Sequence, residues 1–283
     1  MKNILLPTDF SENSWNAIAY ALKFFDKTAC TFYLLHVNSL SFLALNNSAY
    51  VPDKEFIENT FTKPAKKQLK TLLKRISTEF EENKNHHFFT LTDYNFFVES
   101  VRNHVLEKKI DMIVMGTKGA SGLKKVIVGS NAADVIKKVK CPTLVVPEDA
   151  NFTDLHEIAF PTDYLLTYGV ALLKPLYNIL DIHNSSLQVV HITKKTAELS
   201  IDQQDNKDLL NEYFNKFRIK FYNLSNKNVE AAIECFVQSR DIKMMAMVAK
   251  NLNYFQRILF HSKIEEITYH THIPFLVMHD TMV

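Results

Sequence analysis

The sequence predicts an α/β protein made of two tandem copies of one unit, each a five-stranded parallel sheet with helices on both faces. Three observations predict it. Short apolar runs suited to buried strands alternate with stretches of helical periodicity. Motifs of the first half return in the second half in the same order. The length of 283 residues is about twice that of a typical domain.

The first copy reads as follows. Residues 4–6 form a short buried strand, and residues 11–25 a helix for which Ser11 or Asp9 supplies the N-cap. Residues 31–37 form a second strand. After a long connection, Leu69, Leu72, Leu73, Ile76 and Phe80 lie at helical spacing as one apolar stripe. Residues 87–91 are a third strand, residues 97–106 a third helix and residues 112–115 a fourth strand. Residues 130–139 then form a fourth helix and residues 143–146 a fifth strand. Strands separated by helices demand crossover connections, hence a parallel sheet covered on both sides.

The repeat fixes the domain organisation. Ile4-Leu-Leu-Pro-Thr-Asp-Phe10 returns as Ile158-Ala-Phe-Pro-Thr-Asp-Tyr164, at an offset of 154. Phe32-Tyr-Leu-Leu-His-Val37 returns as Leu187-Gln-Val-Val-His-Ile192, at an offset of 155. Cys141-Pro-Thr-Leu-Val-Val-Pro147 returns as Ile273-Pro-Phe-Leu-Val-Met278, at an offset of 132, because the second copy is shorter between its second and third strands. The expected domains are residues 1–149 and 150–283, joined near residues 147–154.

Composition narrows the function classes. A net charge of +2 is close to balance and speaks against a nucleic-acid partner. No run approaches the roughly 18 apolar residues of a membrane span, so a membrane partner is not expected either. The opening apolar run is too short for a signal peptide, which points to the cytoplasm. Cys30, Cys141 and Cys235 lie far apart and read as small core residues. His86, His87, His270, His272 and His279 have no companion spacing of a metal site. The lysines from Lys63 to Lys74, with Arg75, read as a solvated helix face.

Glycine carries the sharpest signal. Of the five glycines, Gly116, Gly119, Gly122 and Gly129 fall in one 14-residue window, and Gly169 stands apart. Glycine is required where φ is positive or where a group approaches closer than a Cβ allows. An apolar strand, a glycine-rich loop and a helix beginning at Ser130 make a physical recipe for holding phosphate. The P-loop and the dinucleotide Gly-x-Gly-x-x-Gly patterns are both absent. Lys118, Lys124 and Lys125 could supply charge to a polyphosphate.

The spacing Gly116-x2-Gly119-x9-Gly129-Ser130 resembles the ATP-binding signature of the universal stress protein family. Pro7-Thr8-Asp9-Phe10-Ser11, Leu35-His36-Val37 and the closing Pro142-Thr-Leu-Val-Val-Pro147 are similar to that family too. The similarity spans the first copy from end to end and the second more loosely, so the chain is identified as a tandem member. In the family's ATP-binding members, the aspartate after the first strand lies beside the nucleoside. The valine after the second-strand histidine touches adenine through its backbone, and the glycine loop with its serine holds ribose and phosphates. By position these are Asp9, Val37, Gly116, Gly119, Gly129 and Ser130. With Pro7, Thr8, Met115, Lys118, Gly122 and Asn131 they make up the expected nucleotide site. The implied ligand is ATP, or else ADP or AMP, with Mg²⁺ allowed as an accompanying ion. The resemblance also implies pairing through the last edge strands, residues 144–146 and 275–278, as an intramolecular pseudo-dimer and as a homodimer.

In the second copy Val248, Asn251, Tyr254 and His261 replace the four glycines, and Ser262-Lys-Ile-Glu265 reads as a capping box. That copy is expected not to bind ATP in the family's manner. The function so implied is regulatory: the first copy binds an adenine nucleotide in a stress response. No general base, catalytic residue or carboxylate pair for a metal is legible. Two other classes stay open from sequence, a slow ATPase or phosphoryl or nucleotidyl transferase using the same loop, and a nucleotide-free assembly module.

Overall fold

The computed structural model of the chain describes residues 1–39, 53–117, 129–193, 198–249 and 273–279. It divides into two compact units, Met1–Glu148 and Asp149–Val283.

In the first unit, β1 (Lys2–Pro7) carries Ile4, Leu5 and Leu6, all fully buried as the interior strand of a covered sheet requires. Helix α1 (Glu12–Phe24) begins where Ser11 Oγ accepts from the Ser14 backbone N–H at 3.2 Å, and it buries Trp15, Ile18 and Leu22 along one stripe. Strand β2 (Cys30–Ser39) follows, then α2 (Lys54–Ile57), a π-helical turn (Glu58–Thr62) and α3 (Lys63–Glu79). Helix α3 turns Ala65, Leu69, Leu72 and Ile76 inward, while Lys63, Lys66, Lys67, Lys70 and Lys74 are exposed. The unit closes with β3 (His86–Asn95), α4 (Phe97–Glu107), β4 (Met112–Gly116), α5 (Ser130–Lys138) and β5 (Thr143–Val146). All five strands are parallel, in the order β3-β2-β1-β4-β5. Strand β3 outruns the expected residues 87–91, because it stays paired with β2 as far as Ser39 opposite Asn95. Its polar carboxyl half, with Thr90, Thr92 and Asp93, hid that length from any hydrophobic pattern.

The second unit repeats the plan with β6 (Glu157–Thr162), α6 (Val170–His183), β7 (Ser186–Thr193), α7 (Ile201–Tyr213) and β8 (Ile219–Ser225). Helix α8 (Val229–Ser239), β9 (Met244–Val248) and β10 (Phe275–Met278) complete it. The strands are parallel in the order β10-β9-β6-β7-β8, with Met244, Met245 and Met247 in the core.

The repeat extends to backbone conformation. Phe10 (φ 64°) and Tyr164 (φ 57°) take the left-handed region at matching positions, as do Lys109 (φ 49°) and Asp241 (φ 54°). One difference stands out. The residue matching Glu12, the first of α1, is Leu166, yet α6 starts only at Val170, one turn later.

Cys30 and Cys141 are buried, and burial pushes their thiols up to about 11 and about 12. Cys235 departs from the expected core role, since it is exposed on the outward face of α8. Among the described residues no helix is long and apolar enough to cross a membrane.

Candidate functional site

From β1 the chain crosses to β2 on one side, and β4 passes to β5 on the other. Between β1 and β4 lies the switch point, which opens a crevice at the carboxyl ends of the strands. A cavity of about 320 Å³ occupies it. Pro7, Thr8 and Asp9 line it from the end of β1, Val37 from β2, and Met115 and Gly116 from β4. Gly129, Ser130 and Asn131 line it from the start of α5. The fold thus brings together nine residues that the sequence singles out, from four separate stretches of chain. Lys118, Gly119 and Gly122 lie outside the described residues, as do Lys124, Lys125, the replacements at 251, 254 and 261 and the capping box at 262–265.

The Pro-Thr-Asp segment is a hydrogen-bonded turn. Thr8 Oγ1 accepts from the Phe10 N–H at 3.0 Å and shares a hydrogen bond with Ser14 Oγ at 2.9 Å. Asp9 Oδ1 accepts from the Ser11 N–H at 3.1 Å and from Ser11 Oγ at 2.6 Å. Ser11 is therefore the cap of α1, and Asp9 orients the cap rather than acting as one. His36 Nδ1 donates to the Thr8 carbonyl at 2.8 Å, and its ring lies 4.4 Å from that of Phe10. A carbonyl only accepts, so Nδ1 carries a proton.

Gly116 owes its identity to a close approach within the protein. A Cβ there would stand 3.0 Å from Asn13 Oδ1 and 3.1 Å from the Asn13 carbonyl oxygen, in the first turn of α1. Gly129 has φ −62°, so it is not held by a left-handed conformation. Its N–H donates to the Thr117 carbonyl, which returns the chain to the end of β4 just as α5 begins. Gly129 stands at the N-cap of α5 without a side-chain hydrogen bond to the helix, whereas Ser11, Ser200 and Asn228 cap α1, α7 and α8 with theirs. Gly129 thus offers the first-turn amides of α5, at the edge of the cavity, no side-chain cap.

Ser14, His36, Phe97, Thr117 and Ala132 also line the cavity. His36 stands inside a legible motif beside Val37 and could have been found there. Phe97 reaches the site only through the docking of α4, where Ser100 Oγ donates to Asp93 and His104 Nε2 lies 2.9 Å from the same carboxylate oxygen. Local sequence carries no signal for that.

Asp9 is the only carboxylate among the described lining residues, and no group of three His, Cys, Asp or Glu side chains among them could hold a metal ion. The described cavity walls do not fit a metal bound by protein ligands.

In the second unit the turn recurs, and larger side chains stand at two of the crevice positions. Thr162 Oγ1 accepts from the Tyr164 N–H at 2.9 Å, Asp163 Oδ1 accepts from the Leu165 N–H at 3.0 Å, and His191 Nδ1 donates to the Thr162 carbonyl at 2.9 Å. Tyr168 stands where the first unit has Ser14, buried, with its hydroxyl bonded to Thr162. Val248 stands at the position of Gly116 and is buried.

The Universal stress protein family model matches residues 1–147. Universal stress protein MJ0531 of Methanocaldococcus jannaschii is 32% identical over 148 residues, 51% of this chain and 81% of that protein. Universal stress protein YxiE of Bacillus subtilis is 28% identical over 146 residues, 50% of this chain and 97% of its own. Over the whole chain, the fold is that of a universal stress protein from Archaeoglobus fulgidus, with a TM-score of 0.71, 16% identity and 97% of each chain covered. With the switch-point crevice, the paired turns and this match over its first half, the chain belongs to the universal stress protein family.

Proposed function

We propose that the first unit binds an adenine nucleotide in the switch-point cavity, and that binding, rather than turnover, is its function in a stress response. The observation that carries the reading is the convergence of the β1, β2 and β4 ends on an α5 N-terminus whose N-cap residue is a glycine. First-turn amides and the helix dipole suit a phosphate. Val37, at the end of β2, offers backbone to a base edge, and Thr8 and Asp9 offer oxygens to ribose hydroxyls. A volume of about 320 Å³ lies at the low end of the range for small-ligand pockets. Mg²⁺, if it accompanies the nucleotide, would be held by phosphate oxygens, since Asp9 alone supplies a carboxylate. The second unit, with Tyr168 and Val248 in the crevice, does not bind in this way.

The test is Ser130→Glu. A carboxylate in the first turn of α5 favours the helix dipole, so stability holds or rises by a few tenths of a kcal/mol. Towards a phosphate about 4 Å away it adds repulsion of about 4 kcal/mol before screening. Titration of ATP, ADP and AMP should show affinity lowered at least tenfold for the variant at unchanged Tm. Unchanged affinity, or no binding to the parent protein, overturns the proposal.

A further inference from the structure

Helix α3 carries its lysines on one line. At 3.6 residues per turn, Lys63, Lys66, Lys67, Lys70 and Lys74 fall within about 100° of the helix circumference, opposite the buried Leu69, Leu72 and Ile76. All five are exposed. Lys66 reaches Glu58 at 3.4 Å, and among the described residues no ion pair engages Lys67, Lys70 or Lys74. Residues 40–52 and 118–128 of the same unit contain no Asp or Glu, so they cannot cancel the charge of this face. The pairs 63/67, 66/70 and 70/74 are like charges at i,i+4, which destabilise a helix. Such a face is favourable only when it meets an anion.

The repeat supplies that anion. Helix α7 is the counterpart of α3, since each links the second and third strands of its unit. On α7, Asp205, Asp208 and Glu212 are exposed and lie within about 60° of the circumference, opposite the buried Leu210. Their i, i+3, i+7 spacing is also that of Lys67, Lys70 and Lys74, so three carboxylates and three ammoniums are laid out alike over about 10 Å of helix axis. Other anionic surfaces suit the lysines less well. No large apolar side chain is exposed on α3, as a helix seated in a lipid interface would need. A net charge of +2 is small for a nucleic-acid footprint.

We infer that the lysine face of α3 docks on the carboxylate face of α7 in a second copy of the chain, so that the protein self-associates through opposite charges on equivalent helices. This goes beyond the nucleotide reading and does not depend on it. Single exposed ion pairs are weak, so the association rests on the whole array and is screened by salt.

The experiment is sedimentation velocity on the full chain at low and at high salt. Self-association should be present at low salt and weaken at least tenfold when the Debye length falls from about 30 Å to about 3 Å. One triple variant carries Lys67→Glu, Lys70→Glu and Lys74→Glu, and a second carries Asp205→Lys, Asp208→Lys and Glu212→Lys. Glu and Lys are both good helix formers, so circular dichroism should be unchanged. Each variant alone presents two faces of one sign and should associate at least tenfold more weakly than the parent. Mixed in equal amounts, they again offer opposite faces and should recover the parent's association. Indifference to salt, a variant that associates as the parent does, or a mixture without recovery overturns the inference. So does a parent chain that stays monomeric at low salt, whether or not its lysines then hold phosphatidylserine vesicles.

Discussion

Gly116→Ala separates the two reasons a glycine can stand at the end of β4. The added Cβ would lie 3.0 Å from Asn13 Oδ1, 3.2 Å from Asn13 Cγ and 3.1 Å from the Asn13 carbonyl oxygen. Relaxed contacts of carbon run to about 3.5–4.0 Å, so each is short by several tenths of an ångström. The side-chain amide can swing aside. The carbonyl cannot, because it belongs to the first turn of α1, which is tied to the preceding turn through Ser11 and through Thr8 and Ser14. Overpacking on this scale costs about 1–3 kcal/mol. For a unit of this size each kcal/mol lowers Tm by about 2–4 °C, so scanning calorimetry should show a fall of about 2–12 °C. Asn13→Ala removes two of the three contacts. In a double-mutant cycle it should recover about 0.5–1 kcal/mol of the loss. Gly116→Ala within about 0.5 kcal/mol of the parent protein would refute the steric account and return the glycine to a ligand-side explanation.

Gly169→Ser should stabilise the second unit by about 0.5–1 kcal/mol in denaturant titration, since a Cβ there meets nothing within 4 Å and serine supplies the cap that α6 lacks. Tyr168→Ser should cost about 3 kcal/mol by the same measurement, through a cavity and a lost hydroxyl partner, and should still not create nucleotide binding in that unit. Burial lowers the pKa of His279 to about 4 from an ordinary 6.5, so the native state holds it neutral while the unfolded chain protonates it. Its contribution is complete above pH 6.5 and is lost as pH falls to about 4, a change on the order of 3 kcal/mol. His279→Gln should flatten the pH dependence of unfolding in that window, and an unchanged slope would exclude the histidine as its source.

What could be read in advance was whatever repeats. Alternation of apolar runs locates the strands, and doubled motifs locate both units. The end of β3 escaped because a strand past the core can pair through polar residues. The exposed sulfur of Cys235 escaped because composition does not say which way a helix faces. At the crevice, glycine spacing pointed to strand and helix ends that line one cavity, and two of the glycines have surroundings that spacing alone does not show. Gly116 answers to α1, and Gly129 has an ordinary φ. The contribution of Phe97 depends on how α4 docks, which no local pattern encodes.

The paired turns decide which residues can bear on ligand binding at all. Both units keep the threonine that accepts from a left-handed aromatic residue, the aspartate that accepts two residues on, and the histidine that donates to the threonine carbonyl. The same bonds hold the same turn in both units, so these residues serve the fold in both, and their presence says little about a ligand. What differs between the units is concentrated at the crevice: Ser14 against Tyr168, Gly116 against Val248, and a helix that starts a full turn later. These differences are mutually dependent. Glycine lets the first turn of α1 close on β4, and a side chain at that position would meet Asn13. A single reversal such as Val248→Gly would leave a void beside an unwound segment instead of rebuilding the site. Recovery of the first unit's crevice in the second therefore needs the helix start, the glycine and the serine together.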